Sequence, residues 1–248
     1  MDVFECIEKR QTIRNYEKKD VPNDLLVQII TAGTHAPSAG NIQPWEFCIV
    51  RDKKIKKELS IAALKQKHVE DAPVLIVVLA NKEKSGMRYG DRGRNFYCVL
   101  DTTACIENML LACTSLGLGA CWTGSFEEER VKNILSLPKH IRPITILTIG
   151  FPVPYEKPFK SSRISFEKMT WEDEYGKEPK WIMKYGRKGR LTWTPLNKQI
   201  EELQEKIKSL KNEKENIEKK SKEKPEKKRE EKESIPKKFT RFIKKLSK

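Results

Sequence analysis

The sequence predicts an α+β fold, a mixed β-sheet flanked by helices, followed by a helical, charged C-terminal extension. Three observations carry this. Some segments repeat apolar residues at helical spacing, while others gather them into strand-sized blocks, the longest being Pro73-Val-Leu-Ile-Val-Val-Leu-Ala80. The two kinds alternate, yet some strands are separated by two helices, which favours a mixed sheet over a doubly wound one. Past Leu196 the composition changes: residues 197–248 hold 19 Lys+Arg against 11 Asp+Glu and no Gly, Cys, Trp or Tyr.

Asp2 can cap a first helix through Lys9, with Val3, Phe4 and Ile7 on one face. Asn23 or Asp24 opens a second, where Leu25, Leu26, Ile29 and Ile30 recur until Gly33. Residues 46–50 read as a strand, 53–64 as an amphipathic helix and 74–80 as a buried strand. The segment 94–116 has so few polar positions that it reads as a long helix buried on most sides, ended by Gly117-Leu-Gly119. A short strand at 120–123, a helix at 127–135 and a strand at 143–150 complete the globular part.

The whole chain of 248 residues carries 50 Lys+Arg against 35 Asp+Glu, a net charge of +15. Its mean hydropathy is −0.66. No uninterrupted apolar run approaches the roughly 20 residues of a bilayer span. Met1-Asp-Val-Phe-Glu-Cys lacks the basic start and apolar block of a secretory signal. The six cysteines form no Cys-x-x-Cys pair and only three histidines accompany them, so zinc-type spacing is absent and no metal is expected. Small buried thiols in a reducing, cytoplasmic setting are the simpler reading, with Cys98, Cys105 and Cys113 on one side of the long helix. No Gly-x-Gly-x-x-Gly turn, P-loop, nucleophile elbow or His-Glu-x-x-His helix is present.

Four segments carry chemistry. In Arg10-Gln-Thr12-Ile-Arg14, two guanidinium groups four apart with a hydroxyl between them offer the donors that phosphate oxygens take. Pro37-Ser-Ala-Gly-Asn41-Ile-Gln43-Pro-Trp45 is a loop of amide and hydroxyl groups beside an aromatic residue, suited to a planar hydrogen-bonding heterocycle. Gly117-Leu-Gly119-Ala-Cys-Trp122-Thr123-Gly124 offers small residues that let backbone approach a flat ring. Gly150-Phe-Pro152 is followed by Arg163, a further cation. Taken singly, each has an ordinary reading: surface charges, a helix-to-strand loop with Trp45 in the core, a helix end.

In this order the segments resemble the nitroreductase family of FMN-dependent flavoproteins. The likeness runs over residues 2–168 and also includes Glu107-Asn-Met-Leu-Leu-Ala112 and Gly150-Phe-Pro152, where the family often has Gly-Tyr-Pro. The resemblance implies an intertwined homodimer with two FMN sites at the subunit interface. Arg10, Thr12, Arg14 and the later Arg163 would hold the FMN phosphate. Pro37, Ser38, Ala39, Asn41 and Gln43 would border the ring, commonly from the other subunit, and Thr123 and Gly124 would lie near its opposite face or edge. The implied activity is that of a ping-pong oxidoreductase. NADH or NADPH gives hydride to flavin N5 and leaves, and a nitroaromatic, quinone or similar small-molecule acceptor then takes two electrons. Flavin N5 carries the hydride, so no side chain is assigned as catalytic. Arg92 and Tyr97, in a region that covers the flavin in many relatives, would contact acceptor or nicotinamide; a helix-capping loop is the alternative. Other classes are a non-enzymatic dimeric scaffold presenting the basic tail, and a specialised dehalogenase or biosynthetic flavoenzyme.

The domain reading is therefore 1–168 for the FMN-binding part and 169–196 for an arm in which Trp171, Trp181, Tyr185 and Trp193 alternate with basic residues. That arm is expected to pack on the domain or its partner subunit rather than on nucleic acid. Over 197–220, Leu196, Ile200, Leu203, Ile207, Leu210 and Ile217 step by 4, 3, 4, 3 and 7, a short coiled-coil seam with Lys214 at one position. Residues 221–234 form a charged linker. In 235–248, Phe239, Phe242, Ile243 and Leu246 make one apolar stripe among six cations, the pattern of a helix on an anionic membrane surface. Docking on the protein's own domain, or binding to nucleic acid or an acidic partner, is the alternative there.

Overall fold

A computed structural model describes residues 1–154, 162–181, 200–201 and 203–213. It divides into two units, Met1–Leu191 and Thr192–Lys248. In the first, helices α1 (Val3–Lys9), α2 (Asn23–Thr34), α3 (Lys53–Ala62), α4 (Lys67–Asp71), α5 (Lys82–Arg92), α6 (Cys98–Ser115) and α7 (Glu128–Ile134) surround four strands. These are β1 (Trp45–Val50), β2 (Val74–Asn81), β3 (Gly119–Thr123) and β4 (Ile141–Gly150), in the order β1-β2-β4-β3.

The α+β class holds, but the sheet is not mixed. All three strand pairings are antiparallel, and among the described residues parallel pairing is limited to an isolated bridge between Thr12 and Ala120. The connections from β1 to β2 and from β3 to β4 return to the same end of the sheet, while the helical crossover from β2 to β3 carries β3 beyond β4. No two neighbouring strands therefore run parallel, and strand spacing in sequence does not reveal it.

Every residue of β2 is buried, because helices cover both faces of the sheet. Val74, Ile76 and Val78 point to one side and join Leu26 and Ile29 of α2 and Cys105, Ile106 and Met109 of α6. Leu75, Val77 and Leu79 point to the other and join Leu59 of α3, Val69 of α4 and Val131 of α7. The alternation of a strand thus feeds two cores from one continuous apolar run. Gly33 sets the spacing of α2 on α6: a Cβ there would come within 2.7 Å of Met109 Cγ and 2.9 Å of Cys105 Sγ.

The long helix begins at Cys98 rather than Arg94. Before it lies α5, unforeseen in the sequence, which breaks at Gly90 (φ 56°) and continues through a π-helical turn at Gly93–Tyr97. A window within Lys82–Ser115 is apolar enough to cross a membrane by length and composition, but α6 buries its apolar face in the core, as the core helix of a globular domain does. All six cysteines are free, five of them buried, and no cluster that could hold a metal occurs among the described residues.

In the arm, Trp171 and Tyr175 meet edge to face at 5.5 Å, and Trp181 donates to Glu172 at 3.0 Å. Tyr185 and Trp193 lie outside the described residues. In the second unit, residues 200–201 and 203–213 are helical. Ile200, Leu203, Ile207 and Leu210 are each about half exposed on that helix. Leu196, Lys214, Ile217, the linker 221–234 and the segment 235–248 lie outside the described residues.

Candidate functional site

The basic segment leaves α1 as an extended strand along the free edge of β3. Ile13 N–H donates to Ala120 O at 3.0 Å and Thr12 bridges Ala120. Alternation then sends Ile13 inward, where it is buried, and Thr12 and Arg14 outward, where both are exposed. Gly119 makes this close approach available, since a Cβ on it would lie 2.7 Å from Ile13 Cγ2. Tyr16 locks the far end: its hydroxyl donates to Ile13 O at 2.6 Å and lies 2.6 Å from Thr148 Oγ1. Burial raises the Tyr16 phenol well above its ordinary pKa, so it stays protonated as a donor. Arg10 faces Glu107 of α6 at 3.7 Å, an ion pair that an arriving anion would compete with.

Three elements meet beside Arg14. His68, on the five-residue helix α4, is buried, with Nε2 2.9 Å from Thr123 Oγ1 and 3.6 Å from Cys121 Sγ. Burial, and then the charge of Arg14, hold its imidazole below the ordinary value. Burial raises the Cys121 thiol even though Arg14 opposes the shift. Thr123 is 2% exposed and its hydroxyl is spent on His68, while its neighbours Trp122 and Gly124 are exposed. His68 belongs with Arg14 and Thr123 in space. Nothing local to His68 signals this, because its partners Thr123 and Cys121 lie 55 and 53 residues away.

The loop 37–43 is held by other contacts. Gly40, Asn41 and Gln43 all adopt left-handed φ, at 57°, 58° and 52°. For the two non-glycine residues that conformation costs of order 1–3 kcal/mol each, and it persists only where the surroundings impose it. Those surroundings are visible. Ser38 Oγ accepts from Gln43 N–H at 3.0 Å, Gln43 Nε2 donates to Asn41 Oδ1 at 3.0 Å, and Arg88 donates to Gly40 O at 3.1 Å. Asp101 Oδ1, from α6, accepts the Ala39 amide at 3.0 Å. Pro37 is exposed, and Trp45 is 6% exposed and belongs to the core rather than to a ligand surface.

Next to this loop stands an aromatic and cationic group. Tyr89 and Tyr97 meet edge to face at 5.2 Å, and Arg92 donates to Tyr97 OH at 2.9 Å while lying over the Phe96 ring at 4.8 Å. Arg92 is thus supported by rings as an exposed cation. Arg163 is exposed, within a segment that follows the sheet.

The predicted residues therefore gather in two places. Thr12 bridges β3 at Ala120, which pairs with Ile149, while Trp45 at the loop's end pairs with Ala80, which pairs with Arg142. These are opposite corners of the sheet, about 14 Å apart across three strand spacings and roughly 20 Å apart along β4. On α6 the two groups come nearer, through Glu107 and Asp101, but these sit about 9 Å apart along the axis and on different sides of the helix. Within one chain, the phosphate-type donors do not share a cleft with Asn41 and Gln43.

The donor set at the β3 corner fits a phosphate monoester bearing a flat ring. The exposed Arg14 guanidinium and Thr12 hydroxyl line an extended strand, the partly buried Arg10 stands where that strand leaves α1, and the exposed Gly124 has only Trp122 within 4 Å of a notional Cβ. The nitroreductase family model matches residues 7–66 and 57–151. The chain is 35% identical over 177 residues to a protein of Methanothermobacter thermautotrophicus named as an NADH dehydrogenase/NAD(P)H nitroreductase, covering 68% of this chain and 88% of that one. It is 32% identical over 189 residues to an NADH dehydrogenase of Thermus thermophilus, covering 65% and 91%. Among solved structures, an NADH dehydrogenase/NAD(P)H nitroreductase from Parabacteroides distasonis superposes with a TM-score of 0.61 at 29% identity, covering 70% of this chain and 98% of that one.

Proposed function

The chain belongs to the nitroreductase family of oxidoreductases, and from that premise we propose that it is a homodimeric, FMN-dependent NAD(P)H oxidoreductase reducing a nitroaromatic, quinone or similar acceptor. The observation that carries the cofactor assignment is the outward face of the strand bridged to β3. Arg10, Thr12 and Arg14 would hold the phosphate, Arg163 would add a cation, and Gly124 would leave room for the ring. When bound, FMN supplies two-electron transfer between nicotinamide and acceptor in a ping-pong cycle. The chain supplies position and field. Arg14 and the neutral His68 offer positive charge and a hydrogen-bonding group beside Thr123, while Arg92, held by Tyr97 and Phe96, presents donors to an acceptor or to nicotinamide.

The split between corners supports the homodimer, because the loop 37–43 of one chain can reach the β3 corner only of another. The half-exposed seam of Ile200, Leu203, Ile207 and Leu210 supports a short coiled coil over 197–220. A parallel pair would bring Lys206 opposite Lys211 of the copy, so this coil forms where the domains already hold two chains together. For 235–248, binding to an anionic membrane surface rests on the sequence pattern. Free thiols and the family support a cytoplasmic setting.

The test is to purify the full chain, titrate it with FMN, and follow NADH and NADPH oxidation with menadione or a nitrofuran. Saturable FMN binding with acceptor-dependent turnover is expected. Tight FMN binding with no turnover would favour the scaffold reading, and no FMN binding would overturn the cofactor assignment. Equal liposome pelleting by the full chain and a Δ235–248 form would overturn the membrane role.

A further inference from the structure

We propose that Asp101 is a positioning residue for the cofactor-facing loop 37–43, and that it serves binding at the expense of the fold's stability. This rests on the FMN reading above. Asp101 sits in the first turn of α6, 8% exposed, and reaches a loop 62 residues away. One carboxylate oxygen accepts the Ala39 amide at 3.0 Å. The other is buried and meets no donor among the described residues. Burial lifts the carboxyl above its ordinary range, with the Ala39 bond opposing the shift. An ionised group in that position weakens the folded state, and a leucine or asparagine of similar volume would fill the space without that cost.

What the carboxylate provides is a charge-assisted bond to a backbone amide, about twice the strength of a neutral one. That bond falls immediately before Gly40, Asn41 and Gln43, the left-handed residues the chain would otherwise relax. Arg88 holds the same loop from its other side, at Gly40 O, and Ser38 closes it on Gln43. Ser38, Asn41 and Gln43 are thereby held in one arrangement before any ligand arrives, which lowers the ordering cost of binding.

A merely structural residue and a positioning residue differ in how stability and binding move together. Asp101→Leu removes the acceptor and the buried charge; Asp101→Asn keeps an acceptor and removes the charge. We expect Asp101→Leu to melt at or above the parent temperature while its FMN dissociation constant rises tenfold or more, and Asp101→Asn to stay within about threefold of the parent. Hydrogen exchange of the Ala39 amide should quicken in Asp101→Leu and remain slow in Asp101→Asn. Parent-like FMN affinity in Asp101→Leu, or an affinity loss accompanied by a fall of several degrees in melting temperature, would overturn the proposal. If the parent itself binds no FMN, the cofactor reading falls, and unchanged Ala39 exchange in Asp101→Leu would then separately defeat the anchoring role.

Discussion

Replacing Gly124 with alanine separates what the fold requires from what the proposed cofactor requires. Its backbone is not among those with left-handed φ, and a Cβ would meet Trp122 Nε1 at 3.5 Å and Cδ1 at 3.7 Å, ordinary contact distances. Nothing in the described chain demands glycine there, so the substitution should change stability by no more than about 0.5 kcal/mol. That corresponds to about 2 °C or less in melting temperature for a chain of this size. A methyl group at the surface where a flat ring is to lie should instead weaken FMN binding by roughly 10- to 100-fold, about 1.4–2.8 kcal/mol. Gly119→Ala is the contrasting control. There the new carbon would lie 2.7 Å from Ile13 Cγ2, forcing the basic strand off β3 at a cost of about 1–3 kcal/mol, with affinity falling too. Differential scanning fluorimetry and flavin fluorescence titration on the same preparations read both quantities. A Gly124→Ala protein that binds FMN as tightly as the parent would refute the placement of the ring at this corner.

Tyr16→Phe should cost about 1–3 kcal/mol in denaturant unfolding, because Ile13 O and Thr148 Oγ1 lose their partner in a largely buried place. Its phosphate-type donors should loosen with it, seen as weaker FMN binding. Below about pH 6.5 stability should fall, in part through His68. Its folded pKa is lowered, so the unfolded chain takes up the proton first and stability rises with pH across that window. His68→Gln should flatten this part of the slope in urea midpoints taken from pH 5 to 8, and an unchanged slope would remove His68 from the account. Ile76→Ala, at a fully buried position on the central strand β2, should cost about 2–5 kcal/mol whether or not FMN is present.

The strands and helices that were legible in the sequence are those whose periodicity reflects a single environment. The run through Val74–Asn81 could only be a strand buried on both faces, and the cysteine spacing of α6 follows its buried side. Lys82–Arg92 escaped because its polar composition gives no apolar stripe, and Gly90 and the π-helical turn shift the phase before Cys98. Sheet order escaped because it depends on where crossovers land. In the proposed site, the spacing of Arg10, Thr12 and Arg14 was visible as a set of phosphate-type donors, but the bridge to β3 that puts Thr12 and Arg14 on one side was not. Asp101 and His68 were not, each being a lone titratable group on a helix whose meaning comes from Ala39 and Thr123 far away in sequence.

The diagonal separation of Thr12 from Trp45 has a genetic consequence. On the proposed pairing, every subunit lends one half to each of two centres. A mixed pair, with one chain damaged at Arg14 and the other at Asn41, would then concentrate both lesions in one centre and leave the second whole. Two inactive alleles expressed together should therefore restore activity that neither has alone, approaching half of the normal amount per mixed pair.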